Sequence, residues 1–116
     1  MAFTGTATVV SLGKNLVRIT GISLLKNGTS GTIGLSGSAA DVTLPSSFPS
    51  SGDSGFTMSQ LVEVRVNLAP SPGNDASHVH ISKTESPFTI TIENDNAGVD
   101  TGNLEIYVQF HHSITR

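Results

Sequence analysis

Residues 88–111, FTITIENDNAGVDTGNLEIYVQFH, hold two runs of alternating hydrophobicity around a loop crowded with Asn, Asp and Gly. In the first run Phe88, Ile90 and Ile92 fall on one side, and Thr89, Thr91 and Glu93 on the other. In the second, Leu104, Ile106, Val108 and Phe110 share a side, opposite Glu105, Tyr107, Gln109 and His111. A period of two marks a strand, because successive side chains leave a pleated backbone on opposite faces. One dry face and one wet face are what an antiparallel sheet packed on a core requires. The loop between the runs is then a cation site, a sugar site or a plain connection between two core strands.

Working outward, the same signal recurs and helical periodicity does not. Residues 3–11 are rich in Thr and Val, and residues 12–15 (LGKN) read as a turn. Residues 15–25 follow, with the apolar alternation changing face at Gly21, which predicts a β-bulge there. Asn27-Gly28 supplies two residues that tolerate positive φ, so residues 26–29 predict a type I′ hairpin turn. SGTIGLSG and ADVTLP read as short strands broken by glycine. Residues 46–59, SSFPSSGDSGFTMS, lack periodicity and read as a long loop. Beyond it Val62, Val64, Val66 and Leu68 share one face. APSPGND is a turn by composition, and Val79 and Ile81 point inward with His78 and His80 outward. About eight short strands separated by turns predict an all-β, single-domain antiparallel β-sandwich spanning 1–116, with a jelly-roll-like winding.

The 116 residues suffice to bury roughly two thirds of the unfolded chain's surface, so no covalent staple is needed. Cysteine is absent, which excludes disulfides and thiolate zinc centres. A net charge of −3 leaves no basic footprint for nucleic acid. No apolar run reaches the length of a membrane span. The start MAFTGTATVV lacks a charged segment and an apolar core, so the expectation is synthesis in the cytoplasm without a signal peptide. Charged residues make up only 13%, against sixteen Ser and thirteen Thr, a quarter of the chain. A surface of hydroxyls in place of charges suits packing against other chains, since interface cores are depleted in charge.

Candidate sites are few. Glu93, Asp95 and Gly98 occupy the first, third and sixth places of a calcium-loop pattern. Its fifth place is Ala97, without a side-chain oxygen, and its twelfth is Leu104 where a bidentate Glu belongs. Asp95 and Asp100 could hold a cation in a looser geometry, but Asn, Asp and Gly also make turn bonds, and the connection is the expectation. His78 and His80 project from one face of a strand. A metal site would need His111 or His112 as well, from a neighbouring strand. No cofactor and no metal are expected, and no catalytic residue is assigned. SGDSG at 51–55 is a chance match to a protease neighbourhood, and no carboxylate pair spans a cleft. Asn27-Gly28-Thr29 fits a glycosylation sequon but reads as a turn.

The start MAFTGTATVV, the single Ser/Thr/Gly-rich β domain, the lack of Cys and the strand-rich end NLEIYVQFHH resemble the small capsid decoration (cement) proteins of tailed bacteriophages. Head–tail connectors and tail-tube or baseplate β domains share this character. The resemblance implies a non-enzymatic virion structural protein that binds the major capsid protein or other virion chains on an assembled shell. It also implies a homo-oligomer, commonly a trimer. Under it, Phe3 in an N-terminal arm of residues 1–6, and Phe48 and Phe56 in the long loop, are the expected apolar contacts. A carbohydrate-binding β-sandwich module is the alternative, although Trp is absent and Tyr107 is the only Tyr. A small metal-dependent enzyme ranks third.

Overall fold

The computed structural model describes residues 3–13, 15–35, 40–45, 56–58, 63–66, 79–85, 88–98 and 100–112. These residues form strands and connections only, with no helix among them. The strands are β1 (Phe3–Ser11), β2 (Leu16–Leu24), β3 (Thr29–Gly34), β4 (Val42–Thr43), β5 (Phe56–Met58), β6 (Glu63–Val66), β7 (Val79–Glu85), β8 (Phe88–Asn94) and β9 (Leu104–His112). Seven of these nine run to four residues or more, and β4 and β5 are short.

They make two sheets. The first has the order β1-β2-β9, with both β5 and β6 paired to the far side of β9. Phe56–Met58 lies against His112 to Phe110, and Glu63–Val66 against Tyr107 to Leu104, so β5 and β6 follow one another along the same edge. The second sheet has the order β4-β3-β8-β7. Apolar residues from both sheets form one core. It includes Val17, Ile19, Ile22 and Leu24 of β2, Phe88, Ile90 and Ile92 of β8, and Leu104, Ile106, Val108 and Phe110 of β9. Phe88 and Phe110 meet edge to face across the sheets, with centroids 5.5 Å apart, a favoured geometry for two ring quadrupoles.

The face change at Gly21 is a double irregularity. In the β1–β2 ladder Thr6 and Ala7 oppose Gly21 alone, and in the β2–β9 ladder Thr20 and Gly21 oppose Glu105. Gly5 and Gly21 both have φ of +87°. A Cβ on Gly21 would run into the Thr6 carbonyl oxygen, and one on Gly5 into that of Gly21. The two backbones approach this closely only because neither residue has a side chain.

Several expectations are corrected. Asn27 and Gly28 do take positive φ, 72° and 76°. Yet they do not close a hairpin: β2 belongs to the first sheet and β3 to the second. The turn carries the chain across the core, because β2 buries its face beside β9 and β3 beside β8. The sheets are not wholly antiparallel, since β3 and β4 run parallel at Ile33–Val42 and Gly34–Thr43. The Asp41 carboxylate accepts from the Thr32 N–H at 3.0 Å and the Asp41 N–H donates to Thr32 Oγ1 at 3.0 Å, which pins the returning chain to the edge of β3. Residues 3–6 are no arm but the start of β1, and Phe3 is 4% exposed in the core. Its ring covers Gly31 of β3, where a Cβ would collide with it. Residues 56–58, read as loop, are strand β5, because the long strand β9 offers them a ladder. Phe48 and the SGDSG stretch lie outside the described residues.

Candidate functional site

The loop after β8 shows what its Asn and Asp side chains do. Asn94, 1% exposed, donates through Nδ2 to the carbonyls of Leu24 at 3.4 Å and Leu25 at 3.2 Å, and its Oδ1 accepts from the Asn96 N–H at 3.1 Å. Asn96 Oδ1 accepts from the Gly98 N–H at 2.8 Å, an Asx turn. Asp100 Oδ1 accepts from the Lys26 N–H at 2.9 Å. The backbone completes the seam. Asn27 N–H donates to Asn96 O at 2.7 Å, Gly28 N–H to Asn94 O at 2.9 Å, and Thr101 N–H to Leu24 O at 2.8 Å. Thr101 Oγ1 accepts in turn from the Leu24 N–H at 2.8 Å. Two connections that each pass from one sheet to the other, β2 to β3 and β8 to β9, are thus sewn side by side. Buried backbone groups at the end of the core find partners in this way, as they must.

Among the described residues the histidines fall on strands of different sheets. His80 Nε2 lies 3.0 Å from Asp95 Oδ2, with side-chain exposures of 58% and 61%. An exposed pair of this kind contributes on the order of 1 kcal/mol or less. His111 and His112 are on β9 in the other sheet, and β7 pairs with β8. The condition for a shared site, neighbouring strands, is therefore not met. His78 lies outside the described residues. Among the described residues no group of three His, Asp or Glu is placed to hold a metal.

What the register does assemble is the outward face of the four-stranded sheet. Directly opposed residues share a face. One row is Ser30, Glu93 and His80, the next is Thr32, Thr91 and Ser82, and the third adds Thr89 and Thr84 beside Gly34. Six hydroxyls thus stand on three adjacent strands at the spacing of the ladder, about 4.8 Å between strands. A shallow depression of about 330 Å³ is lined by Ser30, His80, Ile81, Ser82, Thr91 and Glu93. Such a surface donates and accepts hydrogen bonds without requiring a charge to be stripped of water at each contact. Alternation alone put Thr89, Thr91 and Glu93 outward. That Ser30, Ser82 and His80 would stand beside them depended on strand order, which no local pattern carries.

The outward face of the other sheet is of a different kind. Tyr107 sits in register between Arg18 and Glu63, and its hydroxyl donates to the Glu105 carboxylate. That bond, with added desolvation, holds the phenol above the usual tyrosine range, and the nearby Arg18 opposes the shift. Phe3 is in the core, Phe56 is on β5, and Phe48 lies outside the described residues.

Compared with known proteins, the chain matches no family model, no curated protein and no solved structure.

Proposed function

We propose that this protein is a non-enzymatic structural component that docks on an assembled protein lattice, the capsid-decoration role its sequence character implies. The observation that carries the reading is the six-hydroxyl outward face of the β4-β3-β8-β7 sheet. A flat polar face of this kind can be matched by many modest hydrogen bonds, and repetition over a lattice multiplies them. Stabilisation then follows because the protein binds the assembled shell and not its separate subunits. Phe48 and Phe56 stay within this proposal as apolar contacts, and a homo-oligomer, trimeric in the first instance, is its expected form. The same role at a head–tail junction or in a tail would use the same face.

The winding supports a jelly-roll reading. β2 pairs with β9 in one sheet and β3 with β8 in the other, two nested couples joined by the β2 to β3 and β8 to β9 crossings. A doubled chain rolled into two sheets has this nested order, with β1 added at an edge.

The test is attachment of purified protein to preformed shells that lack it, read by co-sedimentation. Thr91→Arg places a large cation in the middle of the face on an outward position, so the fold should survive while attachment falls by tenfold or more, a loss of about 1.4 kcal/mol. Attachment equal to the unaltered protein would reject this face. Wild-type protein that never attaches would reject the role. The depression lined by Ser30, His80, Thr91 and Glu93 favours one second reading, a carbohydrate-binding module. It calls for a glycan screen with the same variant as control.

A further inference from the structure

Asn27-Gly28 pairs a carboxamide with a following nitrogen that carries no obstructing side chain on its own residue. We propose that Asn27 is a spontaneous deamidation site which the folded chain holds in check, and which opening of the β2 to β3 crossing releases.

The chemistry needs no enzyme. The Gly28 nitrogen forms a bond to Asn27 Cγ, the Cγ–Nδ2 bond breaks, and the proton from Gly28 leaves with that nitrogen as ammonia. One water then opens the five-membered imide. Cleavage at the former side-chain carbonyl leaves aspartate at position 27, and cleavage at the backbone carbonyl leaves isoaspartate. Nothing is oxidised or reduced.

The electrophile is exposed: Asn27 lies on an exposed turn. The nucleophile is not available. Gly28 N–H donates to Asn94 O at 2.9 Å, and Asn27 N–H donates to Asn96 O at 2.7 Å. Attack requires the Gly28 nitrogen to lose its proton and swing toward Cγ, and both movements break the bond to Asn94. The positive φ values of the two residues, 72° and 76°, are held by the same pair of bonds. Those bonds depend on the Asn94 side chain, which ties the end of β8 to Leu24 and Leu25. Reaction therefore waits on local opening.

The product would not restore the seam. Isoaspartate lengthens the backbone by one carbon, so the bonds to Asn94 and Asn96 cannot both reform. Either product adds a carboxylate to a turn whose neighbours are already acidic: Glu93 Oε2 is 3.9 Å from the position of a Cβ on the adjacent Gly28, and Asp100 accepts from the N–H of the adjacent Lys26. Asp95 also stands on the paired loop. Modification thus weakens the seam by which the two crossings are joined.

The experiment compares native protein with protein held unfolded in urea at one mildly alkaline pH. Peptide mapping follows loss of the amide at position 27. Unfolded chains should react on the order of tenfold faster or more, and native Asn94→Ala should fall between. Equal rates in native and unfolded wild-type protein overturn the proposal, as does an unfolded chain in which position 27 stays unmodified. Should Asn94→Ala fail to fold, hydrogen exchange of the Gly28 amide in wild-type protein decides. Slow exchange supports the lock, and exchange at the rate of an unstructured peptide refutes it.

Discussion

Replacing Gly31 by Ala tests whether Phe3 closes the core or serves a partner. Gly31 is buried on β3 and is not among the glycines of positive φ, so alanine suits its backbone. Space is the obstacle. An added Cβ would stand 2.5 Å from Cδ2 and Cζ of Phe3, and closer still to Cε2. The ring must shift or leave. Forcing a methyl into a packed site costs about 1–3 kcal/mol, and losing a buried Phe entirely costs about 3–5 kcal/mol. Phe3 stands at the first position of an edge strand, where yielding is easiest, so the lower range applies. Restricting the unfolded chain returns about 0.4–1 kcal/mol. A net loss of about 1–2 kcal/mol lowers the urea midpoint by roughly 1 M, at a slope of about 1.5 kcal/mol per molar. The decisive measurement is the double-mutant cycle. On a Phe3→Ala background the clash is gone, so Gly31→Ala should become neutral or stabilising. An equal cost in both backgrounds would refute the packing argument and return Phe3 to the surface contacts.

Other consequences are as direct. Gly21→Ala meets both a positive φ and the Thr6 carbonyl, so it should cost about 3 kcal/mol. A midpoint within error of wild type would show that the β1–β2 bulge relaxes. Thr101→Val keeps the shape but removes the acceptor for the buried Leu24 N–H. A loss of about 1–3 kcal/mol is expected, with faster hydrogen exchange at Leu24; unchanged exchange would argue against this bond. The phenol of Tyr107 should ionise above the usual range, and Glu105→Gln should bring it down. With its folded value raised, the stabilising effect of Tyr107 is fully present below the ordinary tyrosine pKa and fades as pH rises through the folded one. Because the chain has one Tyr, ultraviolet titration reads it alone. Coincident curves for the two proteins would refute the Glu105 bond.

The all-strand character of the described residues, the core faces of β8 and β9, the bulge at Gly21 and the positive φ at Asn27 and Gly28 are all legible in the residues themselves. Each depends on atoms only a few bonds apart: a pleat alternates side chains by itself, and a missing Cβ permits positive φ wherever it occurs. The connection between β8 and β9 is legible for the same reason, since Asn94 and Asn96 make short-range turn bonds to the Asn96 and Gly98 N–H groups. Its second task, gripping residues 24–28, is not legible, because its partners lie some seventy residues away in sequence. The candidate docking face divides in the same manner. Thr89 and Thr91 are outward by alternation, but the neighbours that make them a surface come from strand order.

Strand order also turned Asn27-Gly28 from a hairpin into a crossing, laid β4 parallel to β3, and drew Phe3 over Gly31. The sequence alone determined which residues seek water and where the backbone can bend. Tertiary structure decided which strands neighbour which. That choice is set by burying all the apolar faces at once, with every backbone group paired, and no segment carries it alone.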